Sequence, residues 1–238
     1  MVFEERFLVG IQDVDKNDLI TNKALFEAFG NLGCIHSNFA GSGPYQIRQI
    51  HKTWVVINWK LEVFKRPKFF EHYYVKTWSR SYDRLYAYRD FEVYNESNEK
   101  IAICTSRWVW IDTEQRRLAK LEPDMMAAYQ PEDRPVFPGY EFPKIEQPEN
   151  IINQSYYDIN SMMIDFNNHV HNTTYLDLAK EVIPAEVLDN PIDNIEIIYK
   201  KEIKLGDRVK IQYSEDNGKK MVTIKSEDEL LQHGQIIF

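Results

Sequence analysis

The segment from Ile164 to Lys180, which reads IDFNNHVHNTTYLDLAK, contains the residues whose types and spacing are best suited to chemistry. Asp165, Asn167 and His169 stand at every second position, so an extended backbone projects the three side chains to the same side. A carboxylate, an amide and an imidazole can together accept a proton, orient a water molecule and bind a polar substrate group. The same residue types are also common in turns before helices. The spacing therefore indicates either acyl transfer to water or a structural loop.

The residues after this triplet predict an amphipathic helix. Asn172 or Thr173 can serve as its N-cap, and Pro184 stops it. Its apolar positions fall at helical spacing: Tyr175, Leu176, Ala179 and Val182. Backbone N–H groups at a helix N-terminus lack intrahelical partners and carry partial positive charge, which stabilises a developing anion. We therefore expect these groups to hold the oxyanion of an acyl-transfer reaction.

A metal site is a weaker interpretation of the same segment. Asp165, His169 and His171 are spaced plausibly for ligands, but the sequence offers no second cluster of His, Cys or carboxylate residues to complete a coordination sphere. Cys34 and Cys104 fit neither zinc spacing nor a disulfide framework, and we expect both to be reduced core residues. The sequence therefore predicts no metal and no cofactor.

An internal repeat distinguishes the histidine from its neighbours. The segment Val14–Asn22 aligns without a gap with Ile164–Asn172, and each copy runs into an amphipathic helix. The matched pairs are Asp15 with Asp165, Asn17 with Asn167, and Asn22 with Asn172. Leu19 stands where the second copy has His169. The shared residues predict a common loop structure, whereas the histidine predicts a site that only the second copy carries.

The pattern D-x-N-x-H-V-x-N before a helix, followed by IYKKE at Ile198–Glu202, resembles the acyl-acyl-carrier-protein thioesterases of fatty acid synthesis in plastids and bacteria. The resemblance covers essentially the whole chain. It implies an α+β fold of two tandem hotdog domains, each an antiparallel sheet wrapped around a long helix. The implied organisation is an acyl-chain-binding domain without the catalytic histidine at 1–125, a linker at 126–150, and a catalytic domain at 151–238.

The resemblance also implies the site residues. By position, the catalytic set of the family falls on Asp165, Asn167, His169 and Glu202. Plant members typically have a cysteine after the acidic residue, whereas this chain has Ile203. This departure argues against a cysteine nucleophile and favours direct attack by an activated water, with the oxyanion held by backbone N–H groups. Glu202, on a predicted strand, and His169 both stay open as the general base.

Composition and charge limit the location and the partners of the chain. The sequence is 43% hydrophobic and 13% aromatic, which is enough for well-formed cores. It has no apolar run long enough to cross a membrane, and residues 1–20 are too charged for a signal peptide, so we expect a cytoplasmic protein. The net charge of −8 argues against nucleic acid as a partner.

The partner that the resemblance implies is an acyl carrier protein with a fatty acyl chain. Acyl carrier proteins are acidic, so a local basic patch must overcome the repulsion between two negatively charged proteins. Three clusters are candidates: Lys60, Lys65, Arg66 and Lys68; Arg116, Arg117 and Lys120; and Lys200, Lys201, Lys204 and Arg208. Exposed edge strands leave room for a homodimer.

Apolar periodicity predicts one helix and several strands in each copy. In the first copy we expect a strand within residues 2–10, a helix from about Lys23 to Gly33, and strands at Trp54–Val63, Tyr73–Ser79, Arg84–Tyr94 and Ala102–Ile111. In the second copy the predicted strands are Tyr156–Ser161, Asn194–Leu205, Arg208–Ser214, Lys220–Ser226 and Leu230–Phe238. Both copies therefore predict the same order of a helix followed by strands.

Three other functions stay open at this level. An acyl-CoA thioesterase would use the same fold with a different acyl carrier. A non-catalytic acyl-binding protein would need only an apolar channel. The set Asp165, Asn167, His169 and Glu202 argues against it, because polar groups in an apolar site cost free energy. A dehydratase or hydratase of the same fold would also use a histidine with a carboxylate.

Overall fold

The chain forms two compact units, Met1–Glu141 and Phe142–Phe238, in a computed structural model that describes residues 1–165, 168–216 and 218–238. Each unit combines an antiparallel sheet with helices, as predicted for an α+β chain. The boundary between the units falls inside the segment predicted as a linker. None of the helices in these described ranges is both long and apolar enough to cross a membrane.

The first unit contains a sheet in the order β1-β3-β4-β5-β2, with the short β6 paired to β5. Its strands are β1 (Phe3–Leu8), β2 (Lys52–Val63), β3 (His72–Tyr82), β4 (Tyr86–Asn95), β5 (Lys100–Asp112) and β6 (Arg117–Leu118). All neighbouring strands are antiparallel. Large side chains on one face are fully buried, which is why these apolar and aromatic runs form strands: Trp59, Leu61, Val75, Phe91 and Val93.

A long helix, α1 (Asn22–Phe39), packs against this sheet. Thr21 caps it, because its hydroxyl oxygen accepts a hydrogen bond from the Ala24 N–H at 3.2 Å. The prediction that α1 ends at Gly33 was wrong. Gly33 lies inside the helix beside the side chain of Arg89, and the buried residues Leu32, His36 and Ser37 continue the packed face of the helix past it. A short helix, α2 (Pro44–Arg48), follows the glycine-rich segment.

The proline-rich end of the first unit folds back onto its own sheet. It contains α3 (Pro123–Ala127), and the Val136 N–H donates a hydrogen bond to the buried carboxylate of Asp90 at 2.9 Å. The guanidinium of Arg134 lies 3.9 Å from the centre of the Trp78 ring, close enough for a cation–π contact. Although this stretch contains few regular elements, it is held by the strands it covers.

The second unit has a sheet in the order β8-β11-β10-β9-β7. Its strands are β7 (Ile151–Asp158), β8 (Asn194–Tyr199), β9 (Arg208–Asp216), β10 (Lys219–Ser226) and β11 (Gln232–Ile237). The helical elements are a single 3₁₀ turn (Ser161–Met163), α4 (Thr174–Lys180) and α5 (Ala185–Leu188). The predicted strand to Leu205 ends earlier, at Tyr199, so Glu202 lies in a loop and not on a strand.

The two cysteines differ in environment. Cys104 on β5 is fully buried, as predicted for a core residue. Cys34 on α1 is exposed, so its assignment to the core was wrong. Both are free thiols, and neither belongs to the second unit.

Candidate active site

His169 and Glu202 form a direct contact in the second unit. The Nε2 atom of His169 lies 2.9 Å from Oε2 of Glu202, and the other carboxylate oxygen, Oε1, lies 2.8 Å from Nζ of Lys204. The side chains of His169 and Glu202 are 42% and 34% exposed, so solvent reaches both. The carboxylate is therefore held between an imidazole and an ammonium group. Of the four predicted site residues, His169 and Glu202 thus contact each other through their side chains.

Asp165 shapes the loop that carries His169. The Asp165 N–H donates to the His169 carbonyl at 2.8 Å, and the carboxylate oxygen Oδ1 accepts from the His169 N–H at 3.2 Å. Asn168 has a φ of 63°, a left-handed conformation that asparagine tolerates better than most residues. These contacts fix the backbone on either side of the imidazole. Asn167, the fourth predicted residue, lies outside the described residues, and its role stays a prediction.

One backbone hydrogen bond joins the two loops of the site. The Val170 N–H donates to the carbonyl oxygen of Ile203 at 2.9 Å. Val170 directly follows His169, and Ile203 directly follows Glu202, so this bond sets His169 and Glu202 in register. The Ile203 side chain is 1% exposed and packs into the interior.

The loop that carries Glu202 is braced from behind by β11 and α4. The Lys201 carbonyl accepts hydrogen bonds from the Tyr175 hydroxyl at 3.4 Å and from Nδ1 of His233 at 3.2 Å. The His233 carbonyl accepts from the Lys200 N–H at 2.9 Å. Burial, and then the negative charge of Glu202, raise the pKa of Tyr175, so its hydroxyl keeps the proton that it donates.

A second tyrosine ties the start of α4 to β8. The Tyr199 hydroxyl donates to the carbonyl of Asn172 at 2.9 Å, and the rings of Tyr175 and Tyr199 meet edge to face at 4.9 Å. Gly234 on β11 leaves room for this pair: a Cβ atom there would lie 3.0 Å from the Tyr175 ring and 2.8 Å from the Ile198 carbonyl. The absence of a side chain at residue 234 thus permits the brace.

The expected oxyanion site at the start of α4 does not form as predicted. The helix has seven residues, and the N–H groups of Thr174, Tyr175 and Leu176 already donate to the carbonyls of His171, Asn172 and Thr173. Thr173 is the N-cap residue, as predicted, but its side chain makes no capping hydrogen bond. The first turn therefore satisfies its own donors.

The metal interpretation gains no support from the contacts of these residues. Nδ1 of His171 lies 2.9 Å from the Thr173 hydroxyl, whereas His169 faces Glu202. Across residues 1–165, 168–216 and 218–238, no three His, Cys, Asp or Glu side chains cluster as a set of ligands would.

Two family models together match nearly the whole chain. The acyl-ACP thioesterase N-terminal domain matches residues 1–129, and the acyl-ACP thioesterase C-terminal domain matches residues 146–238. The chain belongs to the acyl-ACP thioesterase family. His169 and Glu202 therefore lie in the part of the chain that matches the C-terminal domain of that family.

Individual relatives agree with this assignment. Oleoyl-acyl carrier protein thioesterase 1 of Arabidopsis thaliana, a chloroplastic protein, is 26% identical over 230 residues, which cover 87% of this chain and 62% of that relative. The chain thus spans less than two thirds of the length of this curated relative. A putative oleoyl thioesterase from Lactobacillus plantarum superposes with a TM-score of 0.86 at 22% identity, covering 100% of this chain and 94% of that chain.

A plant structure gives the same fold. The 12:0-ACP thioesterase from Umbellularia californica superposes with a TM-score of 0.88 at 17% identity, covering 99% of this chain and 95% of that chain. Likeness at such low identity concerns the fold alone. The predicted α+β tandem hotdog fold of the acyl-ACP thioesterase family is confirmed.

The first copy of the loop has the same backbone frame as the second copy. The Asp15 N–H donates to the Leu19 carbonyl at 2.9 Å, and Oδ1 of Asp15 accepts from the Leu19 N–H at 3.2 Å. Asp18 has a φ of 61°, close to the 63° of Asn168 in the second copy. The shared aspartate therefore stabilises the loop backbone in both copies, as the alignment of the repeat predicted.

The position of Glu202 is occupied by Arg66 in the first copy. The Ile20 N–H donates to the Pro67 carbonyl at 3.0 Å, which repeats the bond between Val170 and Ile203. Nη1 and Nη2 of Arg66 donate to the Ile20 carbonyl at 2.8 Å and to the Asn22 side-chain oxygen at 2.9 Å, respectively. The first copy thus has leucine and arginine where the second has histidine and glutamate.

This equivalence was missed in the sequence analysis, which assigned Arg66 only to a basic cluster. A signal was present, because KRPKFFE at Lys65–Glu71 aligns without a gap with KEIKLGD at Lys201–Asp207. The carboxylates at the ends of both segments accept from the N–H of the lysine three residues earlier, each at 2.9 Å. The repeat therefore includes both loops of the site and not only the one that carries His169.

Proposed function

We propose that this chain hydrolyses the thioester of fatty acyl-acyl carrier protein and releases a free fatty acid. The observation that carries the proposal is the contact between His169 and Glu202, in a chain of the acyl-ACP thioesterase family. The equivalent positions of the first copy hold Leu19 and Arg66, which cannot accept a proton from water at neutral pH. The second copy is thus the catalytic one, and the role of the first unit is to bind the acyl chain.

His169 is the general base in this mechanism. An ionised Glu202 accepts the proton on Nε2 of His169, which leaves the lone pair on Nδ1 to take a proton from water. The resulting hydroxide attacks the thioester carbonyl carbon and forms a tetrahedral intermediate. When the carbon–sulfur bond breaks, the protonated imidazole returns its proton to the thiolate of the carrier. The products are a fatty acid and a free thiol.

Glu202 is better suited to orient His169 than to act as the base. One of its oxygens contacts Nζ of Lys204 at 2.8 Å, and this positive charge stabilises the ionised carboxylate. A carboxylate stabilised in this way is a weaker proton acceptor, but it holds the imidazole and stabilises the imidazolium that forms. Asn167 is proposed to orient the water or the acyl group, and Asp165 to hold the loop. Residue 203 is isoleucine, whose side chain has no nucleophilic atom, so the mechanism has no covalent step through this residue.

The test is release of free thiol from acyl-carrier-protein thioesters by the wild type and by His169→Ala and Glu202→Gln. Loss of one proton-transfer group typically lowers the rate about 10²–10⁴-fold, and we expect this for His169→Ala. The matched control is Leu19→Ala, the same change at the equivalent position of the first copy, which should keep the wild-type rate. A wild-type rate in His169→Ala would contradict the proposed site.

The same assay separates the alternatives. Faster release from acyl-CoA than from acyl-carrier protein would favour an acyl-CoA thioesterase. An enoyl product would indicate a dehydratase, and no release from any thioester would indicate an acyl-binding role. The cytoplasmic location and the homodimer stay predictions.

A further inference from the structure

The three basic clusters that the sequence offers differ in how far their charges are already neutralised. In the first cluster, Nζ of Lys65 lies 2.9 Å from the Glu99 carboxylate, and Arg66 holds its own loop together. Nζ of Lys60 lies 4.7 Å from the centre of the Tyr140 ring. Most of this cluster is therefore engaged within the first unit.

In the third cluster, half of the charges are paired and half are not. Lys204 contacts Glu202, and the Arg208 guanidinium lies 3.6 Å from both Asp158 and Glu227. Lys200 and Lys201 are exposed, and their ammonium groups have no ion pair with any residue that the structure describes. Two free cations thus stand one and two residues before Glu202.

The backbone beneath these two lysines is held in place. The N–H groups of Lys200 and Lys201 both donate to the His233 carbonyl, at 2.9 and 3.3 Å. The Lys201 carbonyl accepts from Tyr175 and from His233. The side chains are exposed, while the loop from which they project is tied to α4 and β11. Two exposed ammonium groups therefore project from a fixed backbone beside His169 and Glu202.

We propose that Lys200 and Lys201 bind the phosphate of the phosphopantetheine arm that delivers the acyl thioester to His169 and Glu202. This inference rests on the proposed function. The arm joins a single anionic group, the phosphate, to an otherwise uncharged chain that ends in the thioester sulfur. A chain with a net charge of −8 needs a local positive site to hold that group. Two ammonium groups can form charge-assisted hydrogen bonds to its oxygens.

The distances along the chain suit this role. Consecutive Cα atoms are about 3.8 Å apart, so both lysines begin within about 8 Å of Glu202. Their long, exposed side chains can reach a phosphate that lies outside the site while the thioester is at His169 and Glu202. Lys204 is excluded from this task because Glu202 already holds its ammonium group.

The test compares two substrates that differ only in the phosphate, acyl-4′-phosphopantetheine and acyl-pantetheine. In the variant Lys200→Gln/Lys201→Gln we expect the KM for acyl-4′-phosphopantetheine to rise about tenfold or more, while kcat and the KM for acyl-pantetheine stay unchanged. The matched control is Arg117→Gln/Lys120→Gln, which removes two basic residues that also have no ion pair in the described part of the chain. We expect no change in KM for either substrate in this control.

The other outcomes would overturn the inference. An equal rise in KM for both substrates would mean a general disturbance of the site, and a rise seen only with intact acyl-carrier protein would mean contact with the carrier surface. Calorimetric binding of 4′-phosphopantetheine and pantetheine to the wild type and the variant needs no catalysis. A preference for the phosphorylated compound that the variant loses supports the phosphate site even if no thioester is hydrolysed, and equal binding of the two compounds contradicts it.

Discussion

Arg66 in the first copy of the repeated loops lies at the position that Glu202 occupies in the second copy. In both copies the carbonyl of the next residue accepts a backbone hydrogen bond. The Ile20 N–H donates to the Pro67 carbonyl at 3.0 Å, and the Val170 N–H donates to the Ile203 carbonyl at 2.9 Å. The backbone frame is thus the same, although the side chains have opposite charges. The frame therefore does not depend on which side chains stand at these two positions.

The first prediction separates the frame from catalysis. Asp15→Ala and Asp165→Ala each remove an oxygen that accepts a backbone N–H from the loop, so each should lower the free energy of unfolding by about 1 kcal/mol. Only Asp165→Ala should lower kcat, because only its loop positions His169. Urea unfolding and thiol release on the two variants provide the measurement. Equal loss of kcat in both would contradict a catalytic role confined to the second copy.

The second prediction concerns Arg66 as a structural residue. Its guanidinium forms two hydrogen bonds, to the Ile20 carbonyl and the Asn22 side chain, so Arg66→Met should cost about 2 kcal/mol of stability. The rate at the catalytic copy should not change. The control is Lys65→Met, which removes a solvent-exposed ion pair to Glu99 and should leave stability nearly unchanged. Equal stabilities of the two variants would mean that Arg66 does not hold the loop.

The third prediction tests the brace behind Glu202. Gly234→Ala would place a Cβ atom 2.8 Å from the Ile198 carbonyl and 3.0 Å from the Tyr175 ring, so backbone or ring must move. We expect a loss of about 1–3 kcal/mol of stability and a lower kcat with little change in KM. Tyr175→Phe, which keeps the ring and loses only the hydrogen bond to Lys201, should show a smaller loss of both. A fully active Gly234→Ala would show that the brace does not position Glu202.

The fourth prediction is a pH dependence of stability in the first unit. His36 is fully buried, and its Nδ1 accepts a hydrogen bond from Arg89 at 2.9 Å. Burial, and then the charge of Arg89, lower the pKa of His36 to about 3. The unfolded state therefore binds one more proton than the folded state between the unfolded pKa, about 6.5, and the folded one. Stability from this residue is present above pH 6.5 and is lost as the pH falls toward 3, by up to about 1.4 kcal/mol per pH unit.

The variant His36→Asn keeps an acceptor for Arg89 and removes the titrating group. It should be less stable than the wild type at pH 8, because the ring contacts with Phe3 and Tyr129 are lost. The difference should shrink as the pH falls below 6.5. Urea unfolding at several pH values between 8 and 4.5 measures it, and a difference that stays constant over this range would contradict the buried neutral state of His36.

The sequence predicted the tandem fold and the pairing of His169 with Glu202, because both follow from short patterns that repeat or match the family. It did not predict the end of α1, since a glycine can end a helix or lie within one. Gly33 lies within α1, because the buried residues His36 and Ser37 continue the packed face of the helix beyond it. The placement of Glu202 in a loop also depends on distant partners, Tyr175 and His233, which no local pattern contains. The oxyanion prediction was wrong because α4 satisfies its own first-turn donors.

The duplicated loop frame has a consequence for how this chain tolerates change over evolutionary time. One aspartate and a few main-chain bonds recur in both copies, while the side chains at the positions of His169 and Glu202 differ between them. The same frame therefore accommodates a leucine with an arginine as well as a histidine with a glutamate. A substitution at these positions leaves the shared bonds in place, and its cost depends on what the replaced side chain itself holds, as Arg66 holds its own loop.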